Sequence, residues 1–132
     1  MVLGTADQAG RPWVSPVYFA ASELSQFFWV SSPEATHSRN LARRPEVAIA
    51  ICDSQVPIGA AQALYVTAVA EEVTGSEREL GIAVFSDRSR SHGANRWGLE
   101  DVQLPARHRL YRATAEAHWV LGEGDRRVPV RL

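Results

Sequence analysis

Apolar and polar residues alternate along the stretch 107–121, where Tyr111, Ala113, Ala115, Ala117, Trp119 and Leu121 stand against Arg112, Thr114, Glu116 and His118. Successive side chains of a strand point to opposite faces, so this period of two predicts a long, half-buried β-strand. Shorter segments rich in β-branched and aromatic residues predict strands over 1–6, 12–20, 27–31, 47–52, 62–73 and 126–132. Asp7 and Gly10 lie between the first two and supply the chemistry of a hairpin turn.

Two helices interrupt this pattern. Ser32 suits a cap, Pro33 the first helical position and Glu34 the positive end of the dipole, which predicts a helix from Ser32 that Pro45 ends. Ser76 with Glu79 three residues on reads as a capping box and predicts a second helix running to about Phe85. Residues 86–95 are polar and predict a loop, and 99–102 a short helical turn. Strands dominate and helices fall in connections, so the fold class is mainly β: an antiparallel barrel with short connecting helices, one domain over residues 1–132. The run 47–52 is apolar on both faces, and its outer face needs a helix or another subunit to cover it.

Composition narrows the function. The chain has 132 residues and a net charge of −1, which gives no reason to expect nucleic acid or an anionic membrane as partner. No apolar run approaches the ~20 residues of a spanning helix, and no leader peptide is visible. Cys52, the one cysteine, lies in an apolar run and predicts a structural thiol in a reducing, cytoplasmic compartment. All 14 basic residues are arginine. The absence of lysine excludes a pyridoxal phosphate Schiff base and a P-loop, and leaves arginine, hydroxyls, histidine or amides to hold any anion. The four histidines and one cysteine show no metal-ligand spacing.

The candidate chemistry lies between Gly10 and Asn40. Ser31 and Ser32 stand at a strand end before a predicted helix N-terminus, where free amides favour an anion. Thr36 and His37 follow one turn later. On a helix His37, Asn40 and Leu41 share a face, and Leu41, the only large apolar residue there, turns that face inward. Two serines with an inward histidine suit a phosphate, and Trp13, Tyr18, Phe19 and Trp29 suit the walls of a flat-ring site. The plainer alternative is a capping serine pair, a hydrogen-bonded structural histidine and core aromatics.

The strand pattern Gly10-x-Pro12-x-x-Ser15-Pro16, the run WVSSPEATHSRNL and the ending RLYRATAEAHWVL with RRVPV resemble the FMN-binding split barrels related to pyridoxamine 5'-phosphate oxidase. The resemblance covers nearly the whole chain and lacks only a helix that usually precedes the first strand. It implies a homodimer with FMN at the interface and a flavin-dependent oxidoreductase acting on a small molecule or electron donor. Deazaflavin-dependent reductases and non-catalytic flavin- or haem-binding proteins are the alternatives within the family. The phosphate-contacting pair corresponds to Thr36 and His37, with Ser38 adjacent, where the typical oxidase has arginine and lysine. Ser15, Pro16, Val17 and Tyr18 correspond to the strand facing the isoalloxazine, and Ser31 and Ser32 to the strand end. Gln62 lies near the family's glutamine, and Trp97 falls where a partner subunit approaches the flavin edge. Arg112, on the last long strand, completes the cofactor-binding set. The substrate-binding arginine–histidine motif corresponds to His118-Trp119-Val120, which does not reproduce it, so pyridoxamine 5'-phosphate is not the expected substrate. No catalytic side chain is assigned.

Overall fold

The computed structural model describes residues 1–131. Eight strands and two helices follow one another as β1 Val2–Ala6, β2 Pro12–Pro16, β3 Ala20–Ser22, β4 Gln26–Ser31, α1 Thr36–Leu41, β5 Glu46–Cys52, β6 Ala63–Glu72, α2 Glu77–Ser91, β7 Arg109–Leu121 and β8 Arg127–Val130. Every strand pairing is antiparallel. The sheet runs β2-β1-β5-β6-β7-β4-β3, with β8 on the far end of β7.

The two edge strands, β2 and β3, are consecutive in the chain, and only residues 17–19 join them. Four residue steps span at most about 14 Å. Seven flat strands would separate the edges by roughly 29 Å at normal spacing. The sheet therefore has to roll into a barrel with one open seam between β2 and β3. The expected single strand over 12–20 is broken for this reason: after Pro16 the chain crosses the seam, and Ala20–Ser22 begins a new hairpin with β4. Its tight turn places Glu23 and Leu24 in the left-handed region, at φ of 50° and 54°. The first hairpin forms as expected. Asp7 Oδ1 accepts the amides of Ala9 and Arg11, both at 2.9 Å, and Gly10 takes φ of 81°.

Inside the barrel, alternate residues of five strands and α1 form one core containing Leu3, Phe27, Trp29, Ile49, Val66 and Ala113. Burying each of its large side chains contributes roughly 1.5–3 kcal/mol. A second core, around Phe28, Ile82, Phe85 and Leu110, forms where α2 covers the outside of β3, β4 and β7. Gly81 makes the close approach possible, because a Cβ there would lie 2.8 Å from Phe28 and 2.9 Å from Leu110. The outer face of β1, β2, β5 and β6 carries no helix. Val2, Val14, Ala48, Ala50, Tyr65 and Trp119 line a concavity of about 370 Å³ there.

Several local expectations are corrected. The first helix begins at Thr36, because Ser32 instead closes a turn: its Oγ accepts the Glu34 amide and its carbonyl the Ala35 amide. Ser76 is itself helical and makes no side-chain cap. The second helix continues six residues past Phe85, through the polar stretch expected as loop. Tertiary contacts favour that extension: buried Ser86 accepts the Trp97 amide at 2.9 Å, and Ser89 donates to the Asn95 carbonyl at 2.7 Å. In β7 the strict alternation fails at Glu116, a bulge skipped where Thr67 faces Ala117 and Ala68 faces Ala115. Cys52, expected inside, is exposed at the end of β5. Glu71 and Glu72, at the end of β6, pair with Arg112 and Arg109. The last strand begins at Arg127; Leu132, in its expected span, lies outside the described residues. Among the described residues no helix is long and apolar enough to cross a membrane.

Candidate functional site

The open seam is where the sequence-predicted residues converge. α1 buries His37, Ser38, Asn40 and Leu41 against the barrel, the face its periodicity predicts. Leu41 enters the core, and Asn40 Nδ2 donates to Thr5 Oγ1 on β1 at 3.1 Å. These two contacts fix the helix, and His37 is thereby held across the seam. Its Nδ1 lies 3.1 Å from Ser15 Oγ on β2, and its Nε2 lies 2.9 Å from Ser31 Oγ on β4.

The Trp13 indole N–H donates to Ser15 Oγ at 3.1 Å. Ser15 Oγ keeps a proton and a second lone pair, so it either donates to Nδ1 or accepts from Nδ1–H, with Ser31 taking the complementary part at Nε2. Burial pushes the His37 pKa below its ordinary 6.5, which favours the neutral ring. Trp13 and Ser15, two apart on one strand, share a face; that spacing was the available signal for a partner the sequence reading did not assign.

Around this clasp, Ser32 and Thr36 are half-buried, while Pro16 is exposed and Val17 half-buried. Of the four aromatics expected as ring walls, Trp13 is 50% exposed and Tyr18 92% exposed. Trp29 is instead fully buried and stacked on Tyr111 at 5.7 Å, and Phe19 packs on Phe27 at 6.2 Å. Ser38 Oγ is buried with no hydrogen-bond partner; it neighbours the Tyr111 hydroxyl without a bond of acceptable geometry. Burial raises the Tyr111 pKa. A cavity of about 390 Å³ lies beside Ser38, Arg39, Glu72 and Tyr111.

Three expected residues lie elsewhere in the protomer. Gln62 is exposed in the loop before β6. Trp97 packs in the second core, edge-on to Phe85 at 5.7 Å and to His108 at 5.9 Å. Arg112 is held by Glu71 and, at 2.8 Å, by Glu77 at the start of α2. Among the described residues no cluster of His, Cys, Asp or Glu could hold a metal ion.

The sequence model of the pyridoxamine 5'-phosphate oxidase family matches residues 1–121. The chain belongs to that family. No curated protein matches it significantly in sequence. Among solved structures, a haem-binding protein from Mycobacterium smegmatis superposes with a TM-score of 0.77 at 21% identity, over 98% of this chain and 51% of that one. The chain thus spans about half the length of that relative. HutZ, the haem storage protein of Vibrio cholerae, superposes with a TM-score of 0.69 at 28% identity, covering 87% of this chain and 80% of that one. An F420 reductase superposes with a TM-score of 0.63 at 18% identity, over 89% of this chain and 86% of that one.

Proposed function

We propose that this family member is a cytoplasmic homodimer that binds a flavin at the barrel seam and uses it to oxidise or reduce a small molecule. The observation that carries the reading is the seam itself. β2 is an edge strand, so part of its backbone donors and acceptors are unpaired, and Trp13 and Tyr18 project beside them. An isoalloxazine offers a flat face for the aromatics and a pyrimidine edge for the backbone. When bound, the flavin supplies the hydride chemistry; the chain orients it and limits access of water.

The ring half of FMN fits these residues and the phosphate half does not. Ser15, Ser31, Ser32, Thr36, His37 and Ser38 form an uncharged set, while a phosphate carries about −1.5 to −2 charges. The second copy is supported by the uncovered apolar face of β1, β2, β5 and β6, rimmed by Arg127, whose guanidinium sits 4.1 Å from the Tyr65 ring centroid. Burial of that face is what a stable dimer requires. Pyridoxamine 5'-phosphate is a poor candidate for the substrate: at the corresponding positions His118 lies against the Leu24 carbonyl and Val120 is exposed.

A second reading, haem binding without turnover, rests on the 28% identity to HutZ over most of both chains. Visible spectra of the protein after incubation with FMN, riboflavin, deazaflavin or haemin separate the two. A flavin spectrum bleached by NADPH and restored by an acceptor supports the oxidoreductase; a stable haem band with no flavin uptake overturns it.

A further inference from the structure

The hydrogen bonds at the seam already engage the histidine that an anion would need, although Ser38 Oγ has no partner. Both nitrogens of His37 are engaged, Ser15 Oγ serves Trp13 and His37 together, and Ser32 Oγ holds the Glu34 amide. A phosphate arriving here must displace Ser15 or Ser31 for each bond it gains from His37.

Charge points the same way. A buried phosphate needs cations placed against it. On α1 and just after it, Arg39, Arg43 and Arg44 are exposed. Arg39 pairs with Glu34 at 3.8 Å, and Arg44 donates to the Asp7 carbonyl at 3.4 Å. From the β1–β2 side the charged groups are Asp7 and the exposed Arg11, which belong to the hairpin turn, and the Met1 ammonium, which donates to the Val17 carbonyl at 3.1 Å. Across from β4, Arg109 is the partner of Ser31 and Arg112 that of Phe28; the first is paired with Glu72 at 3.8 Å and the second with Glu71 and Glu77. α1, at six residues, has too short a dipole to replace a cation.

The clasp also has a different task. Ser15 lies on one edge strand, and Ser31 on the strand paired with the other edge. His37 joins them where no backbone ladder closes the barrel. We propose that Ser15, His37 and Ser31 form a latch across the seam, and that the site recognises its cofactor through the ring, with no energetic use of a phosphate. This rests on the flavin reading above for the identity of the ring, while the latch stands on the hydrogen bonds alone.

Two measurements on the purified full chain test it. Flavin affinity is measured by fluorescence quenching with riboflavin and with FMN, for the native protein and His37→Gln. Comparable dissociation constants for the two flavins, within about threefold, with the ratio unchanged in His37→Gln, are expected. FMN binding about tenfold or more tighter than riboflavin, a difference of about 1.4 kcal/mol, overturns the proposal, as does selective loss of that preference in His37→Gln. Separately, the His37 ring resonances are followed by NMR while inorganic phosphate is added to the cofactor-free protein. Unmoved resonances support the latch; a saturable shift overturns it. If neither flavin binds, the flavin reading fails, and the phosphate titration still decides whether His37 is an anion ligand.

Discussion

Ser15 and Ser31 stand on opposite sides of the open barrel seam and meet on opposite nitrogens of the His37 ring, at 3.1 and 2.9 Å. Burial in this position favours the neutral form of the ring. Protonation makes both nitrogens donors, so the hydrogen bond to whichever serine had been donating to the ring must reverse.

Stability is therefore expected to depend on pH through His37. Its pKa is lowered in the folded state from 6.5, so the unfolded chain binds more protons in this range. The contribution is fully present above pH 6.5 and is lost as pH falls through the folded-state value. Denaturant midpoints measured across pH 5–8 (about the range in which histidine titrates) should decline on the acid side. His37→Gln, which keeps a neutral donor and acceptor, should flatten that decline while lowering stability at neutral pH. An acid decline of the same slope in the variant would show that other groups govern it.

Gly81→Ala should destabilise the protein although alanine is the better helix former. The helix gains about 1 kcal/mol in propensity. The added Cβ meets Phe28 and Leu110 below 3.0 Å, in a core where overpacking costs about 1–3 kcal/mol. Thermal melting with circular dichroism measures the balance, and an unchanged or raised Tm would mean that α2 can lift off the sheet without loss.

Arg112 ties α2 to the barrel. Its side chain is 17% exposed, whereas Glu71 and Glu77 are 58% and 62% exposed. Removing the arginine by Arg112→Ala should cost about 1–3 kcal/mol, because a mostly buried group loses two charged partners and its packing. Glu77→Gln, at an exposed position, should cost under about 1 kcal/mol. Urea unfolding of both variants gives the comparison, and equal losses would place the energy in the exposed carboxylates.

Ala48→Arg should separate the proposed dimer. Ala48 lies on the uncovered face of β5 and is exposed in the protomer, so a long cation there leaves the monomer's core intact. Light scattering at micromolar concentration should give twice the chain mass for the native protein and the chain mass for the variant, with matching circular dichroism spectra. A native protein that is already monomeric would remove the second copy from the proposal.

Much of the fold was written in local pattern. Period-two segments gave the strands, Asp7 and Gly10 the first hairpin, and Leu41 the inward face of α1, because each depends on residues a few positions apart. Motif resemblance gave the family and gathered Ser15, Ser31 and His37 as one candidate site. The tertiary structure decided the rest. Closing the barrel with three residues split the 12–20 segment at Pro16, and packing of Ser86 and Ser89 drew a polar stretch into α2. Trp29, Trp97 and Arg112 have side chains suited to a cofactor site. Their partners, Tyr111, Phe85 and Glu77, lie 82, 12 and 35 positions away in the sequence. Local pattern reports which face of an element is apolar. It does not report which distant element arrives to cover that face, and at this seam that arrival determines whether a histidine meets a ligand or two serines.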